Sequence, residues 1–322
     1  MLQLARGFTQ SRIFISGAEL DIFTLLDKEA RTAEEVGAIK NAGCRGMTIL
    51  LDALTAQGFL VKQDGRYRTE ASVAPFLSAD SPDTILPMVL YSADLWERWS
   101  KLTPIILGNA EPSLDDGNAD EILQNLVKAM HAVNYPKASE TVAQIQPGAA
   151  RNLLDVGGGA GTYAMAFLRE MPAMRATLFD FPAIAAIARE QFQAAGLGER
   201  TACVAGDYLK DELPEGHDIA LLSAVIHQHG PEENAALYAK VYRALNPGGR
   251  IVIRGFVMSD DKTEPMPGAM FAVNMLTSTL GGQTYSFDEI KAGLEQAGFT
   301  GARLLLKADG LFSLVDAIKP GI

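Results

Sequence analysis

Leu153-Leu154-Asp155-Val156-Gly157-Gly158-Gly159-Ala160-Gly161-Thr162 is an apolar run that meets an acid and then glycines at alternate positions. The stretch that follows is rich in Ala, Met, Phe and Leu, so the segment predicts strand, tight turn and helix. Gly157, Gly159 and Gly161 remove side chains where a ligand would approach the helix N-terminus. Glycine-rich turns of this kind are shared by nicotinamide and flavin folds. Two details narrow the reading. Asp155 precedes the first glycine, and the spacing is GxGxG where the dinucleotide form is GxGxxG.

Downstream, short apolar runs at 153–156, 176–179, 219–222 and 251–253 alternate with helix-length segments. That alternation predicts an α/β domain with a mostly parallel sheet and right-handed crossovers. The runs 304–306 and 312–315 would close it as a C-terminal antiparallel hairpin. Asp180 ends the second strand, where an acid accepts hydrogen bonds from ribose hydroxyls; this fits NAD as well as S-adenosylmethionine. Gly206-Asp207-Tyr208 follows the run Ala202–Ala205. A carboxylate beside a ring could bind an adenine amino group and cover its face; a turn with a capping Asp is the plainer reading. Asn246-Pro247-Gly248-Gly249 then turns into a strand after a helix over Tyr238–Leu245.

Upstream, apolar residues from Phe8 to Leu26 recur at helical spacing, and Thr32 with Glu35 forms a capping-box pattern. A short helix to Ile39 follows. A second helix then runs from beyond Gly43 to Gly58, and two strand-like runs flank Asp64-Gly65. Helix, helix, hairpin is a winged-helix pattern. Its second helix carries Arg45 among many apolar residues, which favours a packing or dimerising module over a DNA reader. Aromatic residues recur through Tyr91, Trp96 and Trp99, a Pro/Gly/Asp-rich loop is expected over Glu111–Asn118, and one helical stretch over Ala119–Ile145. Gln146-Pro147-Gly148 marks a boundary, so the expected organisation is 1–80, 81–146 and 147–322.

Of the 322 residues, 48% are hydrophobic and 21% charged, values of a folded globular protein. A net charge of -11 argues against a general nucleic-acid binder. Cys44 and Cys203 stand far apart in no metal or disulfide spacing, and Met1–Gln10 has no signal-peptide core. A cytoplasmic protein without membrane association is the expectation.

The acid-led GxGxG, strand-end Asp180, Gly206-Asp207 and Pro247-Gly248-Gly249 occur in the order of class I S-adenosylmethionine-dependent methyltransferases. With Phe179-Asp180-Phe181-Pro182, Ala224-Val225-Ile226-His227 and the N-terminal pattern, the chain resembles the caffeate/acetylserotonin-type small-molecule O-methyltransferases over nearly its whole length. The resemblance implies a Rossmann-like methyltransferase domain, a winged-helix-like N-terminal dimerisation domain and a homodimer. It implies a cofactor, S-adenosylmethionine with S-adenosylhomocysteine as product, against Asp155, Gly157, Gly159, Gly161, Asp180, Phe181, Asp207, Tyr208 and Ser223. It also implies a small-molecule acceptor, a hydroxyl compound in the first place, in a pocket built partly by the helices from Tyr91 to Met130. Trp96, Met130, Asn274 and Tyr285 are its candidate contacts. His227, just beyond a strand, is the candidate general base.

The pattern departs from the family in three places. The His is followed by Gln228-His229 in place of Asp-Trp, and Gly255 and Thr284 stand where glutamates that orient the His are expected. An already acidic phenol, methylation on carbon or nitrogen, and loss of methylation altogether therefore stay open. A ligand-sensing DNA binder and a nicotinamide oxidoreductase are the rival classes. His227-Gln228-His229 lacks a third metal ligand, so no metal is expected. His217, in a polar loop, is expected to be exposed, and His131 to lie on a helix beside Met130.

Overall fold

The computed structural model describes residues 1–112, 119–307 and 312–321, so the 113–118 part of the expected loop lies outside them. It divides into two compact units, residues 1–97 with 128–133, and residues 98–127 with 134–322. Among the described residues no helix is long and apolar enough to cross a membrane.

The first unit begins with α1 (Leu2–Arg6), α2 (Phe8–Glu19) and α3 (Ile22–Lys28), followed by β1 (Arg31–Thr32) and α4 (Ala33–Ile39). Thr32 caps α4 through the expected box: its hydroxyl accepts the Glu35 N–H, and the Glu35 carboxylate accepts the Thr32 N–H. Next come α5 (Cys44–Ala56), β2 (Leu60–Gln63), β3 (Arg66–Thr69) and α6 (Ala74–Leu77). Asp64 and Gly65 both have positive φ, as a two-residue hairpin turn requires. The helices and the sheet β1-β3-β2 close on Phe23, Leu26, Val36, Leu51, Leu54 and Tyr67.

Further along lie α7 (Leu86–Ser100), α8 (Leu102–Ile106), α9 (Ala119–Asn134) and α10 (Ala138–Ile145). The single helical stretch expected over 119–145 is broken by a 3-10 turn at Tyr135–Lys137. Pro136 causes the break, because it has no N–H to give the helix ladder.

The second unit holds β4 (Asn152–Val156), α11 (Thr162–Glu170), β5 (Arg175–Asp180), α12 (Pro182–Ala194), β6 (Thr201–Ala205) and β7 (His217–Ser223). After these come α13 (Pro231–Ala244), β8 (Leu245–Gly255), β9 (Val257–Met258), α14 (Met266–Ser278), β10 (Tyr285–Ser286), α15 (Phe287–Gln296), β11 (Thr300–Leu306) and β12 (Ser313–Ile318). Leu245 thus opens a strand where a helix end was expected.

The main sheet has the order β11-β12-β8-β7-β4-β5-β6. β4 through β8 pair in parallel, and β12 is antiparallel to both its neighbours. Side chains alternate across it: Leu154 and Val156 enter one core, Leu153 the other with Phe167, Leu178 and Val252. From β4 the chain builds outward to β6, then returns to place β7 on β4's other side. This reversal opens a crevice at the carboxyl ends of β4 and β7, the place where such sheets bind ligands.

Candidate active site

The glycine turn leaves β4 into that crevice. Gly157 has φ +64°, and a Cβ there would stand 2.9 Å from Val225 Cγ2, so only glycine lets the chain turn against the segment after β7. Gly159, also at positive φ, donates its N–H to Asp180 Oδ2 at 2.8 Å. Gly161 caps α11.

Asp180 ends β5, and its Oδ1 accepts the Phe181 N–H at 2.8 Å. Burial raises its pKa, opposed by these two N–H groups. A carboxylate has about four lone-pair sites, so two are left for donors such as ribose hydroxyls. Phe181 beside it is 40% exposed, so its ring can meet a ligand.

Asp155 lies beneath the turn, 1% exposed, and neither oxygen has a hydrogen-bond partner. A Cβ on Gly158 would come within 2.8 Å of its carboxyl. Burial, then the charge of Asp180, pushes Asp155 up to about 7. Asp207 accepts the Leu209 N–H at 3.0 Å and pairs with Lys210 at 2.9 Å, so it holds the turn that the plainer reading expected. Tyr208 is buried, with its hydroxyl 2.9 Å from His229 Nε2. Ser223 ends β7 and accepts from Arg254 at 3.4 Å.

His227 sits in a 3-10 turn, Ile226–Gln228, three residues beyond β7. It is 6% exposed and edge-on to Phe271 of α14, with ring centroids 4.6 Å apart, and its Nδ1 has no partner. Burial, and secondarily the neighbouring His229, lowers its pKa to about 3. At the two positions where glutamates are expected, a Cβ on Gly255 would meet nothing within 4 Å, and Thr284 is buried with its carbonyl on Lys262.

The acceptor candidates separate. Asn274 lies one turn along α14 from Phe271, and its Oδ1 accepts the Trp99 Nε1–H at 3.0 Å. Tyr285 is buried, and its hydroxyl donates to the His229 carbonyl. Trp96 belongs to the first unit, where it packs near Phe8 and Arg12. Met130 and His131 are half-buried on α9 in the same unit. The expectation that His217 is exposed is overturned. It is 5% exposed, opens β7, and its Nε2 is 3.0 Å from the Thr177 hydroxyl. The strand begins earlier than its apolar run and draws His217 against β5.

The sequence reading missed Phe271, Phe256 and Arg254. Phe256 lies 4.8 Å from both Phe271 and Phe312, which extends the aromatic surface beside His227. Arg254 was legible as a charge inside an apolar strand, a placement that calls for a partner.

A turn that a Cβ would fill, a carboxylate with spare acceptors and an exposed ring together suit a nucleoside with ribose hydroxyls and an adenine face. Comparison with known proteins agrees. Residues 113–300 match the model of an O-methyltransferase domain, and residues 2–78 that of an O-methyltransferase dimerisation domain. The 3-hydroxy-5-methyl-1-naphthoate 3-O-methyltransferase of Streptomyces sahachiroi is 30% identical, over 99% of this chain and 94% of its own. The S-adenosyl-L-methionine-dependent methyl transferase PigF of Serratia sp. (strain ATCC 39006) is 27% identical, over 93% of this chain and 90% of its own. A solved structure described as PigF with SAH superposes with a TM-score of 0.90 at 26% identity, covering 99% of this chain and 98% of that one. The L-tyrosine C(3)-methyltransferase of Streptomyces lavendulae is 27% identical, over 88% of this chain and 82% of its own.

Proposed function

This chain belongs to the S-adenosylmethionine-dependent O-methyltransferase family, and from that premise we propose that it methylates an aromatic or enolic hydroxyl of a small molecule, with His227 receiving the hydroxyl proton. One observation carries the reading: a buried, neutral imidazole stands at the carboxyl end of β7 against the aromatic surface of Phe271 and Phe256. The bound cofactor supplies an electrophilic methyl on a sulfonium.

The residues around it divide the work. Asp180 accepts the ribose hydroxyls, Phe181 and Tyr208 flank the adenine, and Asp207 takes its amino group. Asp155 stays beneath, holding the floor of the turn, while Gly157, Gly159 and Gly161 keep the approach clear and Ser223 borders the methionine end. Phe271 presents a ring edge to an aromatic acceptor, and Asn274, on the same helix face, orients it.

Among the described residues His227 has no carboxylate to stabilise its protonated form, and Gly255 and Thr284 stand where the two acids are expected. Burial disfavours the charged ring, so a phenol or enol that ionises readily is the acceptor class that fits. A related reading is transfer to a ring carbon activated by an ionised phenol, the chemistry named for the Streptomyces lavendulae relative.

Incubation with methyl-labelled S-adenosylmethionine and a panel of phenols, enols and C-acids tests this. Label on oxygen of the acidic phenols supports it, label on carbon selects the related reading, and no transfer to any member refutes both. Leu2, Leu4 and Phe8, all exposed within the stretch that matches the dimerisation domain, support a homodimer, which sedimentation checks.

A further inference from the structure

Two arginines point from the same face of β8, and among the described residues only one pairs with an acid. Arg250 reaches Asp316 of β12 at 2.8 Å, a carboxylate that is itself 1% exposed. Four residues on, Arg254 is flanked in register by Leu314 on one side and Ser223 on the other, both neutral. Its guanidinium donates to Asn134 Oδ1 at 3.0 Å and to Ser223 at 3.4 Å, and it lies 4.9 Å from the ring of Tyr163 and 4.2 Å from that of Phe312. Among the described residues no carboxylate pairs with it.

Neutral acceptors and ring faces offset part of the desolvation of a guanidinium, but they leave its charge uncompensated. Where this strand needs a structural arginine, it supplies Asp316. Arg254, without such an acid among the described residues, lies at the carboxyl end of β8 beside Ser223, where β7 ends. Tyr163, the second residue of α11, follows the glycine turn directly and links Arg254 to it through Asn134, which its hydroxyl contacts at 3.2 Å.

We propose that Arg254 is the counter-ion for a carboxylate bound at the carboxyl ends of β7 and β8. An arginine is suited to this, since its planar fork matches a carboxylate in two hydrogen bonds. Two carboxylates can reach the crevice: that of the cofactor's methionine end, nearest the glycine turn, and one carried by the acceptor. The inference rests on the methyl-transfer reading only in taking this crevice as the ligand site.

Calorimetry separates the sources. Wild type, Arg254→Met and Arg254→Lys are titrated with S-adenosylhomocysteine and with 5′-methylthioadenosine, which lacks the amino-acid end. A third titration uses 3-hydroxy-2-naphthoate against 2-naphthol at saturating S-adenosylhomocysteine. A rise of roughly 10- to 100-fold in Kd for S-adenosylhomocysteine in Arg254→Met, with 5′-methylthioadenosine unchanged, assigns the cofactor's carboxylate. An unchanged cofactor with selective loss of the naphthoate assigns the acceptor's.

If both nucleosides weaken alike, or no carboxylate ligand loses affinity, the proposal is overturned. Should Arg254→Met fail to fold, Arg254→Lys carries the test. It keeps the charge but not the fork, so the carboxylate probe should weaken severalfold, and an equal weakening of its carboxylate-free counterpart would overturn the proposal. A wild type that binds S-adenosylhomocysteine but methylates nothing would refute the proposed function and leave this inference standing.

Discussion

His227 meets the edge of Phe271 at 4.6 Å with the ring planes 78° apart, while its Nδ1 faces no hydrogen-bond partner. Among the described residues the imidazole thus rests against an aromatic ring with no hydrogen bond at Nδ1. His227→Ala is expected to lower turnover by about 10²–10⁴-fold while leaving the Kd for S-adenosylhomocysteine within about twofold. Single-turnover rates and calorimetry on the same preparation check this, and equal turnover would remove His227 from the chemistry.

The pH profile follows from the same burial. His227 titrates near 3 in the fold against roughly 6.5 unfolded, so it is neutral throughout the ordinary assay range. The kcat/KM profile should show no acid limb at pH 6–7. Between these two pKa values the unfolded chain binds more protons, so the fold loses stability as pH falls from about 6.5 toward 3. His227→Gln should lessen that loss. An acid limb near 6.5 that His227→Gln abolishes would mean the ring is charged in the working enzyme.

Gly255 has open space where a side chain would begin. Gly255→Glu is expected to give His227 a counter-charge, raise its pKa and bring an acid limb into the measurable range. Weakly acidic phenols should gain most in rate. A profile identical to wild type would show that the new carboxylate does not reach the ring.

Asp180 both accepts from the turn and offers spare lone pairs. Asp180→Asn should raise the Kd for S-adenosylhomocysteine by roughly 10-fold or more, the loss of hydrogen bonds to a charged acceptor. Thermal unfolding of the unliganded protein should move far less than the affinity. A cofactor Kd unchanged by this substitution would place the ribose elsewhere.

Asp155 carries the opposite sign to the usual acid. Its pKa is raised to about 7 in the fold, so the native state holds its proton across pH 4–7 and loses stability as pH rises through that window. Asp155→Asn should therefore gain on wild type in unfolding free energy between pH 5 and pH 8, by on the order of a few kcal/mol at most, read as a rising difference in Tm. A constant difference across that range would show that Asp155 is satisfied by a donor when charged.

The sheet was legible because its strands are short apolar runs punctuated by acids and glycines, and the capping box at Thr32 and the turn at Asp64-Gly65 depend only on neighbours. Pairings across the chain were not. Nothing local tells that His217 meets Thr177, that Trp99 reaches Asn274, or that Tyr285 spends its hydroxyl on the His229 carbonyl. The Pro136 break was visible as a residue, yet strong helical periodicity on both sides concealed it. Arg254 needed the register of β8 against β7 and β12 before its isolation could be seen.

The position of β12 has a consequence for biosynthesis. β12 follows every other strand of the main sheet in sequence, yet it does not sit at the rim but slots between β11 and β8, covering the edge of β8 that carries Arg254. On the ribosome the glycine turn, Asp180 and His227 all emerge while that edge is still bare. A nascent chain therefore holds a sticky, half-built sheet until residues 313–318 arrive, and ligand affinity should appear only once β12 has docked.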